Sequence, residues 1–312
     1  MKPARFDYIR AATLAEAHAA LAEGGDDARV IAGGQSLVPM LSMRVARPAV
    51  LIDIMHLPEL AKIEANDNAI RVGAGVRQAA LLSWPELDAR QPLIAAVLPW
   101  VGHAQTRSRG TVCGSVAHAD PSAEIPLALL ALKGAVELSS RKTRRRIAAE
   151  EFFTGLMSTA RNDDELIEAV EFPYRAAGHG YAFIEFARRH GDFAIVACAA
   201  VAGKDGTRLA IGGVADCPTA RDFPDIEGGA LDDALDQFAG DLDARGDLHA
   251  TADYRRALVR RLGRAAIEEA RRCRACAPTR ATVSASRSTA ARSRATPSRA
   301  CCSPISCATS WA

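Results

Sequence analysis

The apolar positions of this chain fall into two regions of different rhythm. Residues 6–9 alternate apolar with polar side chains, as a half-buried strand does, and Thr13 followed by Glu16 forms a capping box that predicts a helix to about Glu23. Gly24-Gly25-Asp26-Asp27 stops that helix. Residues 29–32 predict a buried strand, and Gly33-Gly34 then delivers the chain into a short helix from Leu37 to about Met43. Strands are expected at 50–54 and 69–72, and helices at 77–82, 93–101 and 122–132. A hairpin spans 135–138 and 145–148 around Arg141-Lys142-Thr143-Arg144, and the strand pattern of 165–172 closes the first half at Pro173.

The small, polar stretch 175–180 marks a domain boundary. Beyond it the pattern is α+β, with strands at 181–186 and 194–202, a turn at Lys204-Asp205-Gly206, and a return strand at 208–214. Helices follow at 229–238 and 254–270. In the last one, Arg255, Arg256, Arg260 and Arg261 form the expected polar face, with Leu258, Val259 and Leu262 inward.

Two stretches fit neither rhythm. Residues 106–126, TRSRGTVCGSVAHADPSAEIP, hold no long apolar run and read as a loop. Small residues let main-chain N–H groups approach an anion, and Thr111 and Ser115 add hydroxyls. A second such loop, Ala32-Gly33-Gly34-Gln35-Ser36-Leu37, follows the apolar Val30-Ile31 at a strand-to-helix junction, where a helix start favours phosphate. Two cradles point to a ligand with two phosphates. Gly73-Ala74-Gly75 is only part of a dinucleotide fingerprint, because the third glycine is replaced by Gln78.

Composition narrows the class. With 312 residues, 49% of them hydrophobic and 24% charged, the chain is long enough for two soluble globular domains. It has no apolar run of membrane-spanning length, and its mixed, polar first residues make the cytoplasm the expected compartment. The net charge of +2 averages two unlike parts: eight arginines and no acid follow Glu269, so residues 1–269 carry −6. Basic character, and with it any nucleic-acid reading, is therefore confined to the end of the chain. Cys113, Cys198 and Cys217 lie in the body, too few for the four ligands of a [2Fe–2S] cluster. His103 and His118 lack metal-ligand spacing, and Cys113 and His118 lie too close in sequence for an ordinary catalytic pair.

Both loops, with residues 106–124 read as T-R-S-R-G-T-x-x-G-S-x-A-H-A-D-P-x-x-E, resemble the FAD-binding medium subunit of the molybdenum hydroxylases, the group of carbon monoxide dehydrogenase and xanthine dehydrogenase. The likeness extends to residues 6–16, to 71–75 and to Arg188-Arg189-His190-Gly191-Asp192-Phe193-Ala194, and ends near Ala270. It implies a PCMH-type two-lobed FAD-binding domain over 1–176 and a smaller α+β C-terminal domain over 177–270. It also implies a role: passing electrons from [2Fe–2S] clusters of a small subunit, fed by a molybdopterin-binding large subunit, through FAD to an external acceptor. The expected assembly is a dimer of heterotrimers without nucleic acid or membrane span. In that resemblance Ala32, Gly33, Gly34, Gln35 and Ser36, with Thr111, Val112, Cys113, Gly114 and Ser115, hold the pyrophosphate, and Ile31, Leu37 and Gly110 belong to the same cofactor-binding set. Asp120 takes ribityl or ribose hydroxyls, Leu166 packs near the flavin or adenine, and Arg188, Arg189 and Phe193 lie near the isoalloxazine. No catalytic or metal-ligating residue is expected in this chain.

Two departures stand out. Cys113 occupies a position where the family usually has glycine, and Glu185 stands where some branches have lysine. Cys113 leaves open a non-catalytic assembly subunit with a degenerate flavin site, and a stand-alone FAD oxidoreductase on the same fold is a further alternative. Residues 271–312, built from Arg, Ala, Ser, Thr and Cys without apolar periodicity, are expected to be disordered and read as the product of a shifted frame.

Overall fold

The structure is a computed structural model that describes residues 2–276. It opens with a small parallel lobe: β1 (Asp7–Arg10), α1 (Leu14–Gly24), β2 (Ala28–Ile31), α2 (Leu37–Ser42) and β3 (Val50–Asp53). The strands lie in the order β1-β3-β2, with Val50 opposite both Asp7 and Ala28. Thr13 caps α1 by accepting from the Glu16 backbone N–H, and the Glu16 carboxylate accepts from the Ala12 backbone N–H. Such a cap is worth about 1 kcal/mol.

The chain then builds an antiparallel lobe. It contains β4 (Ile63–Ala65), β5 (Ala69–Gly73), α3 (Gln78–Leu82), α4 (Leu87–Arg90), α5 (Pro92–Val97), α6 (Ala104–Arg109), α7 (Val112–His118) and α8 (Glu124–Ala131). After these come β6 (Ala135–Ser139), β7 (Arg144–Ala148), α9 (Ala149–Phe152), β8 (Phe153–Gly155), β9 (Ser158–Thr159) and β10 (Leu166–Pro173). The sheet order β4-β5-β10-β6-β7 puts β10, the last strand made, at the centre. This explains its dense apolar pattern: Leu166, Ile167, Ala169, Val170 and Phe172 are all buried.

A second antiparallel sheet follows, β11 (Gly180–Phe186), β12 (Val196–Gly203), β13 (Gly206–Gly212) and β14 (Thr219–Pro224), paired in sequence order. Its two faces meet different partners. Ala197 and Ala199 join the core of the first two lobes, with α8 packed over β12 and β13. Val196, Cys198, Ala200 and Ala202 face α10 (Gly228–Asp241) and α11 (Ala252–Cys276) in a separate cluster. Alternation along one strand thus feeds two cores.

Three sequence expectations change here. Residues 106–126 are not one loop, because Thr111 caps α7 by accepting from the Gly114 backbone N–H at 3.0 Å. A helix of seven residues with a Gly inside carries too little apolar periodicity to announce itself. Arg255 is not on a polar face: it is buried, donating to Ile195 O at 2.6 Å, to Gly213 O at 2.5 Å and to Asp247 Oδ2 at 2.6 Å. It ties the incoming end of β12 to the outgoing end of β13.

The third change concerns the end of the chain. Residues 271–276, expected to be disordered, continue α11. Arg271 donates to Ile226 O at 2.8 Å, Arg274 donates to Gly203 O, and Gly180 lies so close beneath that a Cβ there would collide with the Ala270 carbonyl and sit 2.9 Å from Arg274 Cα. The expectation for residues 277–312 lies outside the described residues. A chain ended at Ala270 is expected to melt about 4–8 °C below one ended at Cys276, from losing roughly 2 kcal/mol of charged hydrogen bonding, as read by calorimetry.

Candidate functional site

The two glycine-bearing segments predicted to act together are in direct contact. A Cβ on Gly33 would fall 2.7 Å from Gly110 Cα and 2.9 Å from the Arg109 carbonyl carbon, so no larger residue fits without separating the segments. Gly34 has φ +69, the left-handed conformation that glycine adopts without strain. Gln35 folds back to donate to Gly33 O at 3.3 Å, while Ser36 and Leu37 begin α2. Ile31 and Ala32 supply the half-buried strand end from which this turn leaves.

On the other side, Gly110 is the break between α6 and α7. Its carbonyl accepts from the Gln78 backbone N–H at 2.8 Å, Thr111 bridges Arg77, and Val112 N donates to Val76 O at 3.1 Å. Thr111 and Val112 are buried, Gly114 is exposed and Ser115 half-buried on the outer side of α7. Asp120 follows Ala119, which ends α7 in the left-handed region, and Asp120 Oδ1 accepts from Ser122 N at 2.8 Å. Pro121 O then accepts from Gly213 N at 2.7 Å, joining this turn to the end of β13.

Cys113 does not face the cradle. It is buried, its Sγ donates to Val72 O at 3.4 Å, and burial pushes the thiol up to about 12, so it is neither nucleophile nor phosphate neighbour. As a residue of α7 it points inward, so the departure from glycine at this position puts no side chain into the cradle. Leu166 begins β10 in the core beside the β6 pairing and offers no polar group.

Arg188, Arg189 and Phe193 lie together on the exposed connection between β11 and β12. That connection is seated on the segment before α6: Gly191, at φ +89, would place a Cβ 2.6 Å from the His103 ring, and the His190 ring lies 4.9 Å from Trp100. An open depression of about 530 Å³ bounded by Ala22, Arg141, Lys142 and Asp164 lies elsewhere, at the end of α1 and the β6–β7 turn. Mixed exposed charges without a glycine cradle give it no claim to this chemistry.

Sequence reasoning missed three contributors. Gln78, noted only as a missing glycine, is buried at the junction, with Nε2 donating to Thr111 O at 3.4 Å and Oε1 shut off from solvent without a donor. Glu124, in α8, is buried, and Glu185, in β11, is half-buried with both carboxylate oxygens closed to solvent; among the described residues neither forms an ion pair. A polar residue in an otherwise ordinary helix start or strand was the only signal. The residues present fit a dinucleotide cofactor: the cradle is one that a Cβ would fill, a left-handed glycine stands beside it, and a buried acceptor lacks its donor.

A parallel lobe and an antiparallel lobe pressed together through glycine backbone, with a sheet-and-helix domain closing over them, define a two-lobed fold for a phosphate-bearing cofactor. Residues 4–175 match the family described as FAD binding domain in molybdopterin dehydrogenase. The chain is 43% identical over 205 residues to the alpha subunit of the 6-hydroxypseudooxynicotine dehydrogenase complex of Paenarthrobacter nicotinovorans, covering 66% of this chain and 69% of that one. It is 33% identical to the carbon monoxide dehydrogenase medium chain of Hydrogenophaga pseudoflava, over 86% of this chain and 98% of the relative. Its structure superposes on that of reconstituted CO dehydrogenase from Oligotropha carboxidovorans with a TM-score of 0.84 at 30% identity, covering 88% of this chain and all of that one.

The chain belongs to the FAD-binding family of the molybdopterin dehydrogenases. It is an FAD-binding medium subunit of the molybdenum hydroxylase type, part of an oxidoreductase, and its cofactor is FAD. Among the described residues no helix is long and apolar enough to cross a membrane.

Gly33→Ala is expected to weaken FAD binding at least about tenfold in a fluorescence titration, since its methyl group must displace backbone rather than a flexible side chain. Cys113→Ala is expected to lower stability by about 1 kcal/mol and leave FAD affinity within about twofold, because the thiol is a core group.

Proposed function

We propose that this chain receives electrons from [2Fe–2S] clusters of a small subunit and passes them through FAD to an external acceptor, with substrate oxidised at a molybdopterin centre in a large subunit. The complex is read as a cytoplasmic dimer of heterotrimers. FAD supplies the exchange between one-electron and two-electron carriers; the protein's part is to bind, orient and shield it. The backbone of Gly33, Gly34, Gln35 and Ser36 meets the pyrophosphate from one side and the segment Gly110 to Ser115 from the other. Asp120 offers its second carboxylate oxygen to ribityl or ribose hydroxyls, and Arg188, Arg189 and Phe193 border the ring.

The observation that carries this reading is the docking of Gly33 on Arg109 and Gly110, which makes one cradle from segments more than seventy residues apart. It agrees with the relatives, which are named as subunits of dehydrogenase complexes. Cys113 had pointed to a degenerate flavin site, and its place in the core removes that argument. Cys198, buried in β12 with its thiol also pushed up by burial, is equally unsuited to thiol chemistry.

The purified chain alone is expected to bind about one FAD, release it intact on acid or heat denaturation, and accept electrons from dithionite. It should oxidise no organic substrate until a molybdopterin subunit and an iron–sulfur subunit are added. Reduction of its flavin by a substrate without partners would establish a stand-alone oxidoreductase instead.

A further inference from the structure

Arg255 stands in the first turn of α11, where the helix dipole disfavours a cation, and it is 5% exposed with Nε buried and without an acceptor. A side chain placed against both of these tendencies is held by what its other nitrogens reach. Nη1 donates to Ile195 O at 2.6 Å and to Gly213 O at 2.5 Å, and Nη2 donates to Asp247 Oδ2 at 2.6 Å. Asp247 is itself fixed, because its Oδ1 accepts from His249 N at 2.8 Å and from Ala250 N at 3.0 Å.

The two carbonyls serve different parts of the site. The β12–β13 ladder ends at the Ala197–Gly212 pair, and beyond it Arg255 bridges the strand ends in place of a ladder bond. Ile195 N donates to Phe186 O at 2.8 Å and so closes the neck of the 187–194 connection, which carries Arg188, Arg189 and Phe193. Gly213 N donates to Pro121 O at 2.7 Å, one residue past Asp120. Gly213 has φ +80, and a Cβ on it would lie 2.9 Å from the carbonyl oxygens of both Ala194 and Ile195, so the strand ends meet through backbone. One path of hydrogen bonds thus runs from the Asp120 turn through Gly213, the Arg255 guanidinium and Ile195 to the connection seated on His103 and Trp100.

Stability alone does not account for such a group. Replacing a buried ion pair by apolar side chains of similar volume is often neutral, whereas a planar guanidinium shared by two carbonyls fixes their separation and direction. Resting on the FAD reading above, we propose that Arg255 is a positioning residue for the flavin: by holding Ile195 O and Gly213 O on one nitrogen it sets the 187–194 connection against the Asp120 turn, and so fixes how closely Arg188, Arg189 and Phe193 cover the isoalloxazine. It acts through these segments and not on the cofactor itself. None of its hydrogen bonds reaches Gly33 or Gly110, so the pyrophosphate cradle does not depend on it.

The test compares the full chain as wild type, Arg255→Lys, Arg255→Met and Asp247→Asn. Each is saturated with FAD at constant ionic strength, and iodide quenching of the flavin fluorescence is measured, with calorimetric melting of the apoprotein alongside. Lysine reaches one carbonyl at a time and methionine neither, so the quenching constant is expected to rise about twofold in Arg255→Lys and about fivefold in Arg255→Met. FAD affinity of Arg255→Lys, by fluorescence titration, should stay within about threefold of wild type because the cradle is intact. Asp247→Asn keeps both carbonyl bonds, so it should lower the melting temperature while leaving quenching within about 1.5-fold of wild type. If Arg255→Met does not fold, Arg255→Lys alone carries the comparison. Quenching equal to wild type in the folded Arg255 variants, whatever their melting, would make the residue merely structural and overturn the proposal. Quenching that rises in step with lowered melting in Asp247→Asn as well would overturn it too, as would loss of FAD by Arg255→Lys, which would put the effect on the cradle. A wild type that binds no FAD would instead defeat the flavin reading, and the proposal with it.

Discussion

The contact of Gly33 with the backbone at Arg109 and Gly110 is the constraint on which the remaining site geometry depends. It is a steric condition with no side chain in it: two main chains approach within the radius of a methyl group. Once it is satisfied, Gln78 N and Val112 N find their carbonyls at Gly110 and Val76, which fixes the start of α7. The direction of α7 sets the Asp120 turn, and Pro121 O hands the alignment on to Gly213 and the C-terminal sheet. Most of these links are backbone hydrogen bonds, so the frame tolerates side-chain change far better than glycine replacement.

Electrostatics separates the site from the scaffold. Elsewhere acids are compensated: buried Glu165, only 2% exposed, is gripped by Arg145 through two 2.6 Å bonds, and the partly exposed Glu137, Glu64 and Glu168 surround Arg71. Those partners hold Glu165 below the usual carboxylate range despite its burial. Glu124, buried, and Glu185, half-buried with its carboxylate oxygens closed to solvent, have no such arginine. The same chain thus pairs its acids with arginine where they only build a sheet, and leaves the Glu185 carboxylate without a hydrogen-bond partner among the described residues.

Much of the fold was legible because its elements obey one periodicity at a time. The Thr13–Glu16 cap, the buried centre of β10 and the Lys204-Asp205-Gly206 turn each declare themselves within a few residues. The 106–126 segment did not, because α6 and α7 are short, polar and interrupted by Gly110, and their stability comes from caps and tertiary bonds. Arg255 was misread for a related reason: its partners, Ile195 O, Gly213 O and Asp247, lie far away in sequence or on a loop, and a helical arginine shows no local trace of them. Gly33 and Gly110 could each be singled out by residue type, but their mutual contact exists only in three dimensions. Cys113 illustrates the opposite error, a residue judged by the motif around it when its helix phase decides where it points.

Strand β12 has a further consequence. Between Ala197 and Ala202 it carries nothing bulkier than valine, so α8 on one side and α11 on the other are separated by little more than a layer of backbone. Such a wall has few rotamers with which to absorb strain, and close-packed interiors transmit what they cannot absorb. A methyl group gained at Ala199 or Ala200 would be misdescribed as a local event; it is a displacement of one helix against the other. Lineages of this fold therefore have a route to adjusting a cofactor's environment from behind, through positions that no inspection of its contacts would single out.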